Sequence, residues 1–284
     1  MLVTLKEILK IAEAKGSAIG SFNTPNMTTL QAVIAAAEEK NEPVIVTHAQ
    51  LHEEMGLCKM DEIAPIMLFF ADRAKVPVCV HLDHGEDLDY IKRGLDLGFT
   101  SVMYDGSDLD EKLNFVNTSI VVSLASKYGA SVEAEIGSMG ARELGLSKKD
   151  STAPEKDKSI YTDPKAAEKF VNETGIDALA CAFGAVHGIY LSEPQLDFER
   201  LGEIKSLVDI PLVLHGGSGI SNEDYKKVIE GGIRKINYYT YLARAGGNAV
   251  KNMKDTTYFH DIEVEALKAM KADVLNAIDV FSKK

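Results

Sequence analysis

The sequence has few cysteines, no long apolar run and fewer basic than acidic side chains. Its three cysteines, Cys58, Cys79 and Cys181, form no Cys-x-x-Cys pair, and an odd number gives no disulfide framework. This usage fits a reducing cytosol, so we expect a cytoplasmic protein. No stretch reaches the roughly 18 consecutive apolar residues of a membrane span. The amphipathic N-terminus is also unlike a signal peptide.

The charge balance narrows the range of partners. The chain has 31 Lys and Arg against 43 Asp and Glu, a formal net charge of −12. An acidic surface disfavours nucleic acids and anionic membranes as partners. It leaves open a phosphorylated small molecule, because backbone amides and helix N-termini also bind phosphate.

Strand-like and helical patterns alternate along the chain. Eight apolar runs without strict alternation are typical of parallel strands covered on both faces. The strand candidates are residues 18–23, 43–48, 76–84, 101–106, 131–137, 178–188, 211–217 and 235–240. Helical spacing of apolar residues marks residues 4–15, 29–41, 60–75, 88–98, 114–129, 163–175, 222–232 and 264–281.

This alternation predicts an α/β fold, and 284 residues suit one (β/α)8 barrel of roughly 250 residues. An open doubly wound sheet is the alternative. We expect a single domain over residues 1–284, in which the first helix, opened by a capping box at Thr4 and Glu7, closes the bottom of the barrel. Residues 138–162 are polar and follow the fifth strand, which predicts a mobile loop on the catalytic face.

Three histidines stand at the ends of separate strand candidates. His84 ends the third, His187 lies in the sixth and His215 in the seventh. If these strands converge in one barrel, three imidazoles provide the ligand set of a catalytic zinc site with an open fourth position.

Carboxylates accompany these histidines. Asp83 shares a strand face with His81, whereas His84 points the other way or leaves at the loop. Asp83 is interpreted as a proton carrier or, alternatively, as a carboxylate that orients a histidine. Glu133 and Glu135 share one face of the fifth strand, where each could ligate a metal, hold a histidine or pair with a barrel Lys or Arg.

Two further groups point to a substrate. The HGGSG run at 215–219 exposes backbone amides and the Ser218 hydroxyl, and beside NYYT at 237–240 it indicates a phosphate site, although alone it could be a tight turn. Asn23 ends the first strand and could reach substrate hydroxyls. His48 could line the pocket, and His52 and His260 are interpreted as surface or packing residues.

The set HLDHG, VEAEIG, GAVHG and LHGGSG, in this order, resembles the class II, metal-dependent ketose-bisphosphate aldolases over nearly the whole chain. The resemblance implies a TIM barrel, one zinc ion per subunit and a homodimer or homotetramer. It implies that His84, His187 and His215 ligate the zinc and that Glu135 is an alternate acidic ligand. It also implies that Asp83 is the proton carrier at the substrate C4 hydroxyl and that Glu143 is a loop glutamate that moves the C3 proton.

The resemblance also implies a dihydroxyacetone-phosphate site with a monovalent cation, Na⁺ or K⁺, close by. Its residues are Gly188, Gly216, Gly217, Ser218, Asn237, Tyr238, Tyr239 and Thr240. Two features depart from the family: tyrosines follow Asn237, and no DPR-like segment precedes the last helix. The implied function is reversible cleavage of fructose- or tagatose-1,6-bisphosphate in glycolysis or related carbohydrate metabolism.

Several alternatives stay open at this point. They are a class II aldolase acting on a different phosphorylated ketose, a metal-dependent hydrolase that activates water, and a catalytically silent barrel that binds sugar phosphates. A Schiff-base aldolase would need a buried lysine on an inner strand. It is disfavoured because the sixth strand has none and Lys235 begins the eighth, at the face away from the loops.

Overall fold

The computed structural model describes residues 1–137, 160–188, 190, 193–254 and 258–283. Most of the predicted loop at 138–162, with Glu143, lies outside these residues. The single-domain expectation for residues 1–284 therefore stays a prediction.

Eight parallel strands close into a barrel, which confirms the (β/α)8 prediction. Each strand from β2 to β9 pairs with the next one in sequence, and β9 pairs with β2. The short β1 (Leu2–Val3) adds to the start of β4. The barrel strands are β2 (Ile19–Asn23), β3 (Val44–Ala49), β4 (Val78–Gly85), β5 (Ser101–Tyr104), β6 (Ser131–Ile136), β7 (Ala178–Cys181), β8 (Leu212–Leu214) and β9 (Ile233–Tyr238).

Helices separate the strands. They are α1 (Leu5–Lys15), α2 (Met27–Lys40), α3 (Gln50–Glu54), α4 (Met60–Arg73), α5 (Leu88–Leu97), α6 (Glu111–Ser126), α7 (Pro164–Thr174), α8 (Phe198–Leu207), α9 (Asn222–Glu230), α10 (Thr240–Lys251) and α11 (Phe259–Phe281). The sequence pattern missed α3, α8 and α10. In the part of the chain that the structure describes, no helix is long and apolar enough to span a membrane.

The bottom of the barrel is apolar and covered by α1, as predicted. Thr4 and Glu7 form the expected capping box, and the buried face of α1, including Leu5 and Ile8, packs on inward residues such as Ile45 and Cys79. The next inward residue of β4 is His81 and the one after it is Asp83, so the barrel interior changes from apolar to polar towards the C-terminal ends of the strands. This gradient places the polar groups at the loop-bearing face.

The sixth and seventh predicted strands are much shorter in the structure. The sixth candidate, 178–188, is regular only over Ala178–Cys181, and the seventh only over Leu212–Leu214. His215 therefore directly follows its strand, whereas His187 lies in the loop beyond β7 and not at a strand end. Gly184, with a φ of 110°, adopts a backbone conformation that does not continue a strand beyond Cys181.

Candidate active site

Three imidazole rings meet at the C-terminal face of the barrel. The ring centroids are 5.0 Å apart for His84 and His187, 4.6 Å for His84 and His215, and 5.7 Å for His187 and His215. One ring nitrogen from each lies within 4.8 Å of the others. These distances suit three ligands of a single ion.

The backbone of His84 explains why it joins the other two rings. Its φ is 48°, in the left-handed region, and the pairing of β4 with β5 is irregular between Leu82 and Gly85. A non-glycine residue in this region costs roughly 1–2 kcal/mol, and such strain is often found at functional sites. The turn interrupts strand alternation, so that Asp83 and His84 both face the site although they are neighbours in sequence.

Asp105, directly after β5, orients the ring of His84. Its Oδ2 atom lies 2.6 Å from His84 Nδ1, and its Oδ1 atom accepts hydrogen bonds from the Ser107 backbone and hydroxyl. A carboxylate on Nδ1 directs Nε2 of the ring to a metal. Burial lowers the pKa of His84, but Asp83 and Asp105 outweigh it and raise the pKa to about 9. The surroundings therefore favour a positive charge at this position.

A buried ion pair orients the ring of His215, but here the carboxylate lies at Nε2 and not at Nδ1 as it does in His84. Nε2 of His215 lies 2.9 Å from Glu133 Oε1, and the two carboxylate oxygens of Glu133 lie 3.0 and 2.9 Å from Lys235 Nζ. Burial raises the pKa of Glu133, but Lys235 and His215 hold it below its ordinary value. Glu133 therefore stays ionised and accepts the proton of His215 Nε2.

The remaining nitrogen of His215 supports metal binding. Its Nδ1 atom is buried and makes no hydrogen bond within the described ranges, and Glu135 Oε2 lies 3.5 Å away. A buried polar atom without a hydrogen bond is costly unless another ligand satisfies it. Imidazole nitrogens with one nearby carboxylate form a donor set that suits zinc. The residues present therefore fit a metal ion.

Asp83 lies beside these rings, held by two amides. Its Oδ1 atom accepts from Asn237 Nδ2 at 3.0 Å, and Oδ2 from Asn23 Nδ2 at 3.4 Å. Burial raises the pKa of Asp83, but His84 and Lys235 lower it by more, so that the pKa lies well below its ordinary value. Asp83 is therefore a buried, oriented carboxylate that stays ionised.

The glycine-rich run after His215 packs closely on two neighbouring segments. A Cβ on Gly216, whose φ is 64°, would lie 2.1 Å from Val186 O, and the Gly217 amide donates to Asn237 O at 3.0 Å. Ser218 Oγ accepts from the Tyr239 amide at 3.2 Å. The loops after β7, β8 and β9 thus meet beside the histidines, next to the N-terminus of α10.

The comparisons with known proteins agree with this geometry. Residues 3–284 match the family model described as class II fructose-bisphosphate aldolase. The chain belongs to the class II fructose-bisphosphate aldolase family. It is therefore an aldolase, a carbon–carbon lyase, and class II aldolases are metal-dependent enzymes that act on phosphorylated sugars.

Solved structures of this family resemble the chain over nearly its full length. The YdjI aldolase from Escherichia coli K12 is 37% identical with a TM-score of 0.87, and the match covers 99% of this chain and 97% of that one. A chain from Coccidioides immitis, provisionally assigned as a fructose-1,6-bisphosphate aldolase, is 29% identical with a TM-score of 0.87, covering 98% and 95%. The fructose-bisphosphate aldolase of Campylobacter jejuni, at 21% identity and a TM-score of 0.80 over 99% and 95%, shares the fold.

In this class II aldolase, the structure does not bring every predicted residue to the site. The side chain of Tyr238 points outward, where its hydroxyl lies 3.3 Å from Asp273 Oδ1 and its ring contacts Phe22. Strand alternation explains this, because Asn237 points inward. Thr240 begins α10 and does not end a strand. Gly188 follows His187 with a φ of 92°.

The histidines outside the metal site have other surroundings. His48 points into the helix layer, where Nε2 lies 3.0 Å from the Tyr90 hydroxyl, so it does not line the pocket. His52 is buried and packs on the ring of Tyr239, at 5.0 Å between centroids, as the packing interpretation predicted. The side chain of His260 is 73% exposed.

Sequence reasoning missed two residues of the aldolase site. Asp105 lies within the strand candidate at 101–106 and no role was predicted for it, although a carboxylate at a strand end is a usual partner for a ligating histidine. Lys235 was placed away from the site, yet it is fully buried inside the barrel and paired with Glu133. The ion pair was among the alternatives for this glutamate. Because Lys235 Nζ is engaged beneath His215, the Schiff-base alternative is still disfavoured.

Proposed function

We propose that this aldolase reversibly cleaves a ketose 1,6-bisphosphate, fructose- or tagatose-1,6-bisphosphate, to dihydroxyacetone phosphate and glyceraldehyde 3-phosphate. The observation that carries the proposal is the position of Asp83. It is an ionised carboxylate oriented by Asn23 and Asn237 beside a cluster of three histidines. This arrangement provides a base next to a cation site, which aldol cleavage requires.

The proposed cation is one zinc ion per subunit, with His84, His187 and His215 as ligands and Glu135 as an alternate ligand. When bound, zinc supplies a Lewis acid that stabilises the negative charge developing on the substrate as the C3–C4 bond breaks. Asp105 and Glu133 hold two of the three rings in place and reduce the reorganisation that metal binding needs.

Asp83 performs the first proton transfer in the proposed mechanism. It accepts the proton of the C4 hydroxyl, C4 becomes the carbonyl carbon of the released aldehyde, and the electron pair of the C3–C4 bond passes to the C2–C3 half of the substrate. The amides of Asn23 and Asn237 keep the carboxylate oriented towards C4. Glu143, which lies outside the described residues, is proposed to deliver the proton to C3 that completes dihydroxyacetone phosphate.

The phosphate on C1 is proposed to bind where the loops after β7, β8 and β9 meet. Backbone amides and the N-terminus of α10 favour an anion there, and a Na⁺ or K⁺ ion is proposed close by. Since its side chain points outward, Tyr238 would contribute only its backbone. The proposed residues are Gly188, Gly216, Gly217, Ser218, Asn237, Tyr238, Tyr239 and Thr240.

The deciding experiment measures dihydroxyacetone phosphate release from a panel of ketose 1,6-bisphosphates and ketose 1-phosphates. Cleavage of a bisphosphate with the highest kcat/KM supports the proposal. Preference for a monophosphate would indicate an aldolase for a different phosphorylated ketose. No release from any member, with zinc bound, would indicate a catalytically silent barrel.

The setting of the enzyme is likewise proposed. We infer a cytoplasmic homodimer or homotetramer that acts in glycolysis or related carbohydrate metabolism, without nucleic-acid or membrane partners. The cysteine usage and the charge of −12 support this setting. Sedimentation velocity across a range of protein concentrations tests the oligomeric state.

A further inference from the structure

The backbone ladder between β7 and β8 ends before the metal ligands. The two strands pair only at Leu179 with Leu212 and at Ala180 with Val213. His187 and His215 both lie beyond the last of these pairs. The ladder therefore does not fix the distance between the two imidazoles, and other contacts must hold the loops in register.

The hydroxyl of Tyr190 joins these two loops. It accepts a hydrogen bond from the backbone amide of Val186 at 3.2 Å and donates one to the carbonyl of Gly216 at 2.9 Å. Val186 directly precedes His187, and Gly216 directly follows His215. One oxygen atom thus bridges the backbone next to one ligand and the backbone next to the other.

Close packing accompanies this bridge. A Cβ on Gly216 would lie 2.1 Å from Val186 O, so the two backbones touch at the point that the hydroxyl spans. The ring of Tyr190 lies along the same loop, where its Cδ2 atom would be 3.0 Å from a Cβ on Gly219. Tyr190 is therefore packed against the glycine loop as well as bonded to it.

We propose that Tyr190 is a positioning residue that sets the spacing of His187 and His215 and thereby the affinity for zinc. It acts through the backbone and does not ligate the ion. Ligands that are already spaced for the ion lose less freedom when they bind it. The inference rests on the metal centre proposed above.

The test compares two Tyr→Phe variants of the full chain. Tyr190→Phe removes only the bridging oxygen. Tyr225→Phe is the matched control, because the buried Tyr225 hydroxyl donates its one proton to the next carbonyl of the same loop, that of Gly217, and not to the His187 segment. For each protein, the zinc dissociation constant is measured by competition with a chelator, and the unfolding temperature is measured without metal.

We expect Tyr190→Phe to weaken zinc binding about 10-fold, the size of effect typical of groups that orient metal ligands, and Tyr225→Phe to retain the wild-type affinity. Unchanged affinity in Tyr190→Phe, or an equal loss in both variants, would overturn the role of Tyr190. A lower unfolding temperature with unchanged zinc affinity would also overturn it, because that result indicates a merely structural hydroxyl.

Two further variants, His84→Ala and His215→Ala, separate this inference from the proposed function. Zinc binding that survives both substitutions would overturn the metal centre and the inference with it. If those variants lose zinc while Tyr190→Phe does not, the metal centre stands and only the role of Tyr190 fails. Gly216→Ala keeps the hydroxyl but forces the loops apart, so weaker zinc binding is expected there as well.

Discussion

Asn237 on the last strand of the barrel donates a hydrogen bond to Asp83 on the third, with 3.0 Å between Nδ2 and Oδ1. Asn23 on the first strand lies 3.4 Å from the other carboxylate oxygen. Both oxygens of one buried carboxylate therefore face amides from the β2 and β9 side of the barrel. The carboxylate has little freedom to turn, which suits a base that must meet one substrate hydroxyl.

Replacing Asp83 should remove turnover and leave metal binding in place. Asp83→Ala deletes the proposed base, and general bases contribute about 10²–10⁴-fold to rate. We expect kcat to fall by about this factor while the zinc content stays at one per subunit, measured by atomic absorption. Asn237→Ala, which leaves the carboxylate but deletes its stronger hydrogen bond, should lose less activity. Unchanged kcat in Asp83→Ala would remove Asp83 from its role.

The lysine beneath the site should be important for stability. Lys235→Met leaves Glu133 as a buried carboxylate without its cation, and breaking a buried pair in this way costs about 3–5 kcal/mol. We expect urea unfolding to show a loss of this size. The matched control is Lys6→Met, because the Lys6 side chain is 63% exposed in its pair with Asp177 and such a surface pair contributes about 0–1 kcal/mol. Equal losses in the two variants would contradict the assignment.

Much of the barrel could be predicted because strand periodicity depends on local composition. The runs at 43–48 and 76–84 correspond to Val44–Ala49 and Val78–Gly85. Helices α8 and α10 were missed because both contain glycine, Gly202 in α8 and Gly246 with Gly247 in α10, and glycine disfavours helix interiors. The existence of the strands could thus be predicted from the sequence. The end of β7 could not, because it depends on how the following loop packs.

The chemistry of the site was predictable in its residue types and less so in its orientations. Three histidines near strand ends indicated one metal site, and the structure brings them together. The positive φ of His84 could not be foreseen, since it interrupts the alternation that the sequence implies. Likewise the outward direction of His48 and of Tyr238 depends on the register of β3 and β9, which no local pattern reveals.

The pH dependence of stability should report on His48. Burial lowers the pKa of this imidazole to about 4, against an ordinary 6.5; His52 and Arg93 lower it further, whereas Glu53 and Asp83 oppose the shift. Between these two values the unfolded chain binds a proton that the folded protein does not. Stability is therefore lost as the pH falls from 6.5 towards 4.

Removing the imidazole should flatten this part of the curve. We expect His48→Gln to reduce the fall in unfolding free energy between pH 6.5 and 4 by on the order of 2 kcal/mol, measured by urea unfolding at several pH values. His260→Gln is the control, because that side chain is 73% exposed and should leave the curve unchanged. The same slope in His48→Gln and wild type would contradict a buried neutral His48.

Chelation of the metal should abolish cleavage reversibly. With zinc removed by EDTA and dialysis, Asp83 and its two amides remain, but nothing stabilises the charge that develops on the substrate, so we expect no detectable release of dihydroxyacetone phosphate. Adding zinc should restore the wild-type rate and raise the unfolding free energy, by about 2.7 kcal/mol at a hundredfold excess over Kd. His187→Ala should show neither recovery, whereas His260→Ala should show both. Full activity in protein shown by atomic absorption to be metal-free would falsify the metal-dependent mechanism.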